Sequence, residues 1–206
     1  MIDQPEQLFH FAYQDNGAPR TLLLFHGTGG NENDLLSLVD PLKSRYNFLG
    51  LRGNVQENGM NRFFARMGQG LFDQDSIDRE VEKLVMFIAR WCQAKSITEQ
   101  DLAFCGYSNG ANMILATLFA HPTVIQKAVL FHPMLPSQPA LTVSFQGRQL
   151  LVSYGEEDQM VPINESHRVI NVLTARGATV EVVEHAGGHE VVRDEVDKAL
   201  KFLETD

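Results

Sequence analysis

Cysteine is scarce in this chain: Cys92 and Cys105 are the only two among 206 residues, too few for a metal cluster or a disulfide framework. Both sit in apolar stretches, LVMFIARWCQA and LAFCGY, where a small buried thiol is expected. Basic residues are also in the minority. With 17 Lys and Arg against 26 Asp and Glu, the formal charge is −9, which excludes a nucleic-acid binder, because phosphate affinity comes from Lys and Arg. No window reaches the run of about 18 apolar residues that a membrane span needs. The first residues, MIDQPEQLFHFAY, lack the basic cluster and apolar core of a targeting segment. A cytoplasmic protein with no membrane span is therefore expected. Repeats, low-complexity stretches and Pro/Gly-rich linkers are missing too, so residues 1–206 read as one domain.

What is present is a series of short apolar runs separated by helical patterns, the signature of a parallel sheet covered by helices. Strands are predicted at Leu8–Tyr13, Thr21–His26, Tyr46–Leu51, Leu102–Tyr107, Lys127–His132, Gln149–Tyr154 and Thr179–Glu184. Helical spacing appears over Leu35–Leu42 and Ile77–Trp91. Further helices are predicted after Ser108, over about Asn164–Arg176 with Gly177 as the stop, and over about Glu190–Leu203. The fold class is α/β, with about seven mainly parallel strands and helices on both faces. Arg52–Gln74 is the longest segment without periodicity, and is expected to be a functional loop or to hide short helices.

The chemistry concentrates at strand ends. Gly106-Tyr107-Ser108-Asn109-Gly110 matches G-x-S-x-G, directly after an apolar strand and before a helix, the setting of a nucleophile elbow. A serine hydroxyl needs an imidazole to take its proton and a carboxylate to orient that imidazole. Downstream, Gly155-Glu156-Glu157-Asp158 follows one strand and Gly187-Gly188-His189 follows the next, so Ser108, Asp158 and His189 fall on three strand ends of one sheet edge. Glu156 and Glu157 compete for the acid role. His185 competes for the base, but it closes a strand. Gly187-Gly188 breaks the helix that a His185/His189 metal pair would need. Oxyanion stabilisation requires two backbone N–H donors. Asn109 supplies one, and Thr28, in the His26-Gly27-Thr28-Gly29-Gly30-Asn31 loop, supplies the other. That loop lacks the Gly-Lys-Ser/Thr ending of a phosphate-binding loop.

With HGTGGN, GYSNG, the Gly155/Asp158/Val161-Pro162 segment and GGH, the chain resembles the α/β-hydrolases of the phospholipase/carboxylesterase family. Within it, the small bacterial carboxylesterases related to the hydroquinone-resistance hydrolase are the nearest group. The resemblance extends over nearly the whole chain. It implies Ser108 as nucleophile, His189 as base, Asp158 as orienting acid, Thr28 and Asn109 as oxyanion donors, and neither cofactor nor metal. Related lysophospholipases and acyl-protein thioesterases usually carry Gln where Asn109 stands, which argues against lipid-like substrates. Dienelactone hydrolases use Cys where this chain has Ser108. Only residues 133–148 separate two predicted strands at the point where larger relatives insert a lid, too few for one. Substrate selection then falls to Met60–Phe72, with Phe63 and Phe64, and to Met134 and Met160. The alternative places Phe63, Phe64 and Phe72 in the core of short helices. The expected partner is a small-molecule ester, and the oligomeric state stays open, a homodimer included.

Overall fold

A computed structural model describes residues 7–68, 70–140 and 142–205. In chain order its elements are β1 (His10–Gln14), β2 (Arg20–Phe25), α1 (Leu36–Val39), β3 (Tyr46–Arg52), β4 (Val55–Glu57), β5 (Met60–Arg62), β6 (Arg66–Gly68), β7 (Leu71–Phe72), α2 (Gln74–Lys95), β8 (Leu102–Tyr107), α3 (Asn109–Ala120), β9 (Lys127–Phe131), β10 (Gln149–Gly155), α4 (Ile163–Ala175), β11 (Thr179–His185) and α5 (Arg193–Glu204). The seven apolar runs become one sheet in the order β1-β3-β2-β8-β9-β10-β11. Only edge strand β1 runs antiparallel to its neighbour; the other pairings are parallel.

The two-residue period of a strand sorts its side chains onto two layers. Leu23, Phe25, Phe104, Leu130 and Val152 face one way and pack with Leu84 and Phe87 of α2, Ile114 and Leu118 of α3 and Val169 of α4. Their neighbours Leu22, Leu24, Cys105, Val129 and Leu151 face the other way and meet Val39 of α1 and Ala199 and Phe202 of α5. Because both faces are covered, the central strands read as unbroken apolar runs, and all five residues of β9 are buried. Among the described residues no helix is long and apolar enough to cross a membrane.

From β2 the chain passes through α1 to β3 on one side, whereas from β8 it passes through α3 to β9 on the other. The winding therefore reverses between β2 and β8, and the carboxyl ends of these strands open a crevice where doubly wound sheets place ligands. Thr28 follows β2 and Ser108 follows β8.

Three expectations are corrected. Arg52–Gln74 is neither a structureless loop nor short helices but two β-hairpins, β4–β5 and β6–β7. Asn58 and Gly59, at φ 53° and 79°, form the tight turn of the first, the pairing that an Asn-Gly dipeptide favours. The helix expected over Leu35–Leu42 shortens to α1 plus a 3-10 turn at Asp40–Leu42, where Pro41 has no N–H to continue an α-helical ladder. Helix α5 begins at Arg193 instead of near Glu190, because the Glu195 carboxylate accepts the Val192 N–H at 2.7 Å and caps the chain there. No helix or strand occurs among the described residues between β9 and β10, so no lid is built there.

Candidate functional site

Ser108 occupies the turn from β8 into α3 with φ 51° and ψ −114°, a conformation that L-residues rarely adopt and that costs about 1–3 kcal/mol. Two features hold it. Its N–H donates to the Phe131 carbonyl at 2.9 Å, and Gly110 lets α3 approach β2 so closely that a Cβ there would strike the Phe25 and His26 carbonyl oxygens. The Ser108 Oγ lies 2.8 Å from His189 Nε2. The other ring nitrogen, Nδ1, lies 2.6 Å from Asp158 Oδ2. The Tyr107 hydroxyl donates to the His189 carbonyl at 2.8 Å, which ties the histidine's loop to the strand that carries the serine.

Asp158 is buried, and its Oδ1 accepts the N–H groups of Met160 and Val161 at 2.7 and 2.8 Å. Burial pushes its carboxyl up, but the His189 hydrogen bond, the two backbone donors and the charge of His189 outweigh this and hold it below the ordinary carboxylate range. The rival acids Glu156 and Glu157 are exposed, and their N–H groups bond to the carbonyls of His185 and Gly187. The rival base His185 accepts the Gly187 N–H on Nδ1, so its proton sits on Nε2, 3.4 Å from Glu195 Oε2. The structure therefore brings Ser108, His189 and Asp158 together and leaves the competitors outside.

Behind Asp158 lies a polar layer that sequence patterns do not reveal. His132, fully buried at φ 50°, places Nδ1 at 3.2 Å from Asp158 Oδ2 and Nε2 at 3.1 Å from Oε1 of the equally buried Glu195. A carboxylate oxygen thus stands close to each ring nitrogen of His132. Burial pushes the Glu195 carboxyl up, but His132, Ser153 and the Val192 N–H more than offset it, so its pKa is lowered. His132 directly follows β9 and Glu195 sits in the first turn of α5, far along the chain, and no local motif links them.

Thr28 and Asn109 line the same cleft as Ser108. The Asn109 N–H opens α3 and has no intrahelical acceptor. Its side-chain Oδ1 accepts the Phe63 N–H at 2.7 Å, and Thr28 Oγ1 accepts Arg62 Nη1 at 2.5 Å. The loop carrying Thr28 is braced by His26, whose Nε2 accepts the Gly53 N–H at 3.0 Å, leaving Nδ1 to donate to the Gly27 carbonyl at 2.6 Å. Burial lowers the pKa of that imidazole.

The cleft holds about 690 Å³, and Met134 and Met160 line it. Phe63 and Phe64 do not, which corrects the expectation that they form its walls. Both are fully buried, Phe63 against Phe25 and His26, Phe64 edge-on to Phe72. The first hairpin presents Glu57, Met60 and Arg62 to the cleft instead; the second adds Arg66, Met67 and Phe72. Within the first hairpin Glu57 stands opposite Met60, and alternation puts Arg62 on the same face.

The profile of the family described as Phospholipase/Carboxylesterase matches residues 12–206. MhqD of Bacillus subtilis (strain 168) is 35% identical over 190 residues, covering 92% of this chain and 95% of that protein. The crystal structure of the Bacillus cereus carboxylesterase superposes with a TM-score of 0.88 at 34% identity, over 94% of this chain and 92% of the other. That of Atu2452 from Agrobacterium tumefaciens str. C58 gives 0.89 at 31% identity, with 98% of each chain covered. On family, fold and strand-end geometry together, the chain belongs to the phospholipase/carboxylesterase family of α/β-hydrolases and is a carboxylesterase-type hydrolase.

Proposed function

We propose that the chain, acting as one domain over residues 1–206, hydrolyses small to medium acyl or aryl carboxylic esters through a covalent acyl-enzyme on Ser108. The observation that carries this reading is the continuous chain Asp158 Oδ2, His189 Nδ1, His189 Nε2, Ser108 Oγ, with links of 2.6 and 2.8 Å. As Ser108 Oγ attacks the ester carbonyl, its proton passes to His189 Nε2 and then to the departing alkoxide. Water repeats the sequence on the acyl-enzyme, releasing the acid and restoring the serine. Asp158 keeps the ring in the tautomer with its proton on Nδ1 and stabilises the imidazolium. The N–H groups of Thr28 and Asn109 receive the oxyanion, and the positive end of α3 adds to their effect. Free, buried Cys92 and Cys105 support a cytoplasmic setting.

The test combines fluorophosphonate labelling with turnover of p-nitrophenyl esters from acetate to palmitate. Ser108 is expected to be the labelled residue and short to medium chains the better substrates. A steep rise toward palmitate would instead favour the lysophospholipase or acyl-protein thioesterase reading.

A further inference from the structure

The charges on the cleft run against those of the whole chain. Among the described residues that line it, only Glu57, Arg62 and Arg66 carry a permanent charge, in a protein of net −9. Glu57 lies between the two guanidinium groups, with Oε1 2.7 Å from Arg66 Nε and Oε2 3.2 Å from Arg62 Nε. One carboxylate between two cations leaves a positive charge in excess on the wall of the cleft that Ser108 lines.

The two arginines differ in what they have left to offer. The Arg62 side chain is 4% exposed, and its Nε and Nη1 are occupied by the Phe64 carbonyl and Thr28 Oγ1, so it is a fixed, desolvated charge. The Arg66 side chain is 30% exposed and engaged through Nε alone, so neither Nη group has a hydrogen-bond partner among the described residues. Glu57 thus orients the guanidinium without using the end that binds a carboxylate in fork geometry. Asn112 adds a further donor to the cleft, since its Oδ1 is taken by the Met134 N–H and its amide NH₂ is left over.

Resting on the ester hydrolysis proposed above, we infer that this enzyme selects esters that carry a carboxylate, held by the Nη groups of Arg66 in the field of Arg62. A neutral ester of the same size leaves those donors to water and forgoes the charge-assisted bonds.

The experiment compares two isosteric pairs. p-Nitrophenyl hemiglutarate against p-nitrophenyl valerate puts the charge on the acyl side, and 4-acetoxybenzoate against 4-acetoxybenzamide puts it on the alcohol side. At low salt the anionic member of at least one pair is expected to have about tenfold higher kcat/KM, mainly through KM, and Arg66→Gln is expected to remove most of that ratio. Arg66→Lys should retain part of it, because the charge stays and the fork is lost. In the unmodified enzyme the ratio should fall as salt rises, which reads the same charge even if Arg66→Gln does not fold. Turnover of the neutral esters with no anionic preference in either pair, or an unchanged ratio in Arg66→Gln, overturns this inference alone. No turnover of any ester, with Ser108 unlabelled by fluorophosphonate, overturns the esterase reading and this inference with it.

Discussion

His132 and His189 share one acceptor: Oδ2 of Asp158 lies 2.6 Å from His189 Nδ1 and 3.2 Å from His132 Nδ1. The second histidine continues the polar chain inward to Glu195, so the acid of the proposed triad is positioned from both sides, by a ring that faces substrate and by one that never does. Asp158, His132 and Glu195 are all buried, and each depends on its neighbour for compensation.

Removing His132 leaves Oε1 of Glu195 and one side of Asp158 without their polar neighbour. His132→Ala is expected to lower stability to urea by about 1–3 kcal/mol, the cost of leaving buried carboxylate oxygens without their polar neighbour. His132→Asn tolerates the positive φ and keeps an N–H donor toward Asp158, so it should recover part of the loss. The pH profile of kcat/KM should shift in both variants, a change that a packing defect alone would not produce. Unchanged stability in His132→Ala would refute the arrangement.

Backbone strain at Ser108 gives a stability prediction opposite in sign to its effect on activity. Ser108→Ala and Ser108→Gly should both abolish ester hydrolysis and phosphonate labelling. Gly adopts φ 51°, ψ −114° with little penalty, so Ser108→Gly should be more stable than Ser108→Ala by about 1 kcal/mol or more in denaturant titrations. Equal stability of the two would mean that the turn is not strained.

The acid limb of stability follows from Asp158 and Glu195, both lowered below their ordinary values in the folded protein. A lowered carboxylate contributes stability above its unfolded pKa of about 4 and loses it as pH falls through the folded value. Tm should therefore drop as pH is taken below about 4. Asp158→Asn and Glu195→Gln should each be less stable at neutral pH and show a shallower fall in acid.

The thiols should be silent. Burial pushes Cys105 up to about 12 and Cys92, with added repulsion from Glu99 and Asp101, up to about 11. Thiolate is the reactive form, so iodoacetamide at neutral pH should leave both unmodified and activity unchanged until the protein is unfolded. Mass spectrometry of the treated native protein checks this.

Much of the fold was legible because its signals are local. The apolar runs announced the strands, and Gly106 to Gly110 marked the sharp turn between β8 and α3. One further signal is local too: Asn58-Gly59, between Val55-Gln56-Glu57 and Met60-Asn61-Arg62, is the tight turn of a hairpin inside an otherwise aperiodic segment. In that hairpin Glu57 stands opposite Met60 and alternation puts Arg62 on the same face, toward the cleft, whereas Phe63 and Phe64 follow the strand and are both buried by the packing of the whole chain.

By itself the amino-acid order determined the α/β class, the strand sequence and the placing of Ser108, Asp158 and His189 at strand ends, because periodicity and turn chemistry act over a few neighbouring residues. Only the tertiary structure decided the contact of His132 with Asp158 and Glu195 and the excess positive charge left by Arg62, Arg66 and Glu57. Those depend on which strands and hairpins come to lie side by side, and on burial, which gives each polar contact its strength and is a property of the whole packed chain.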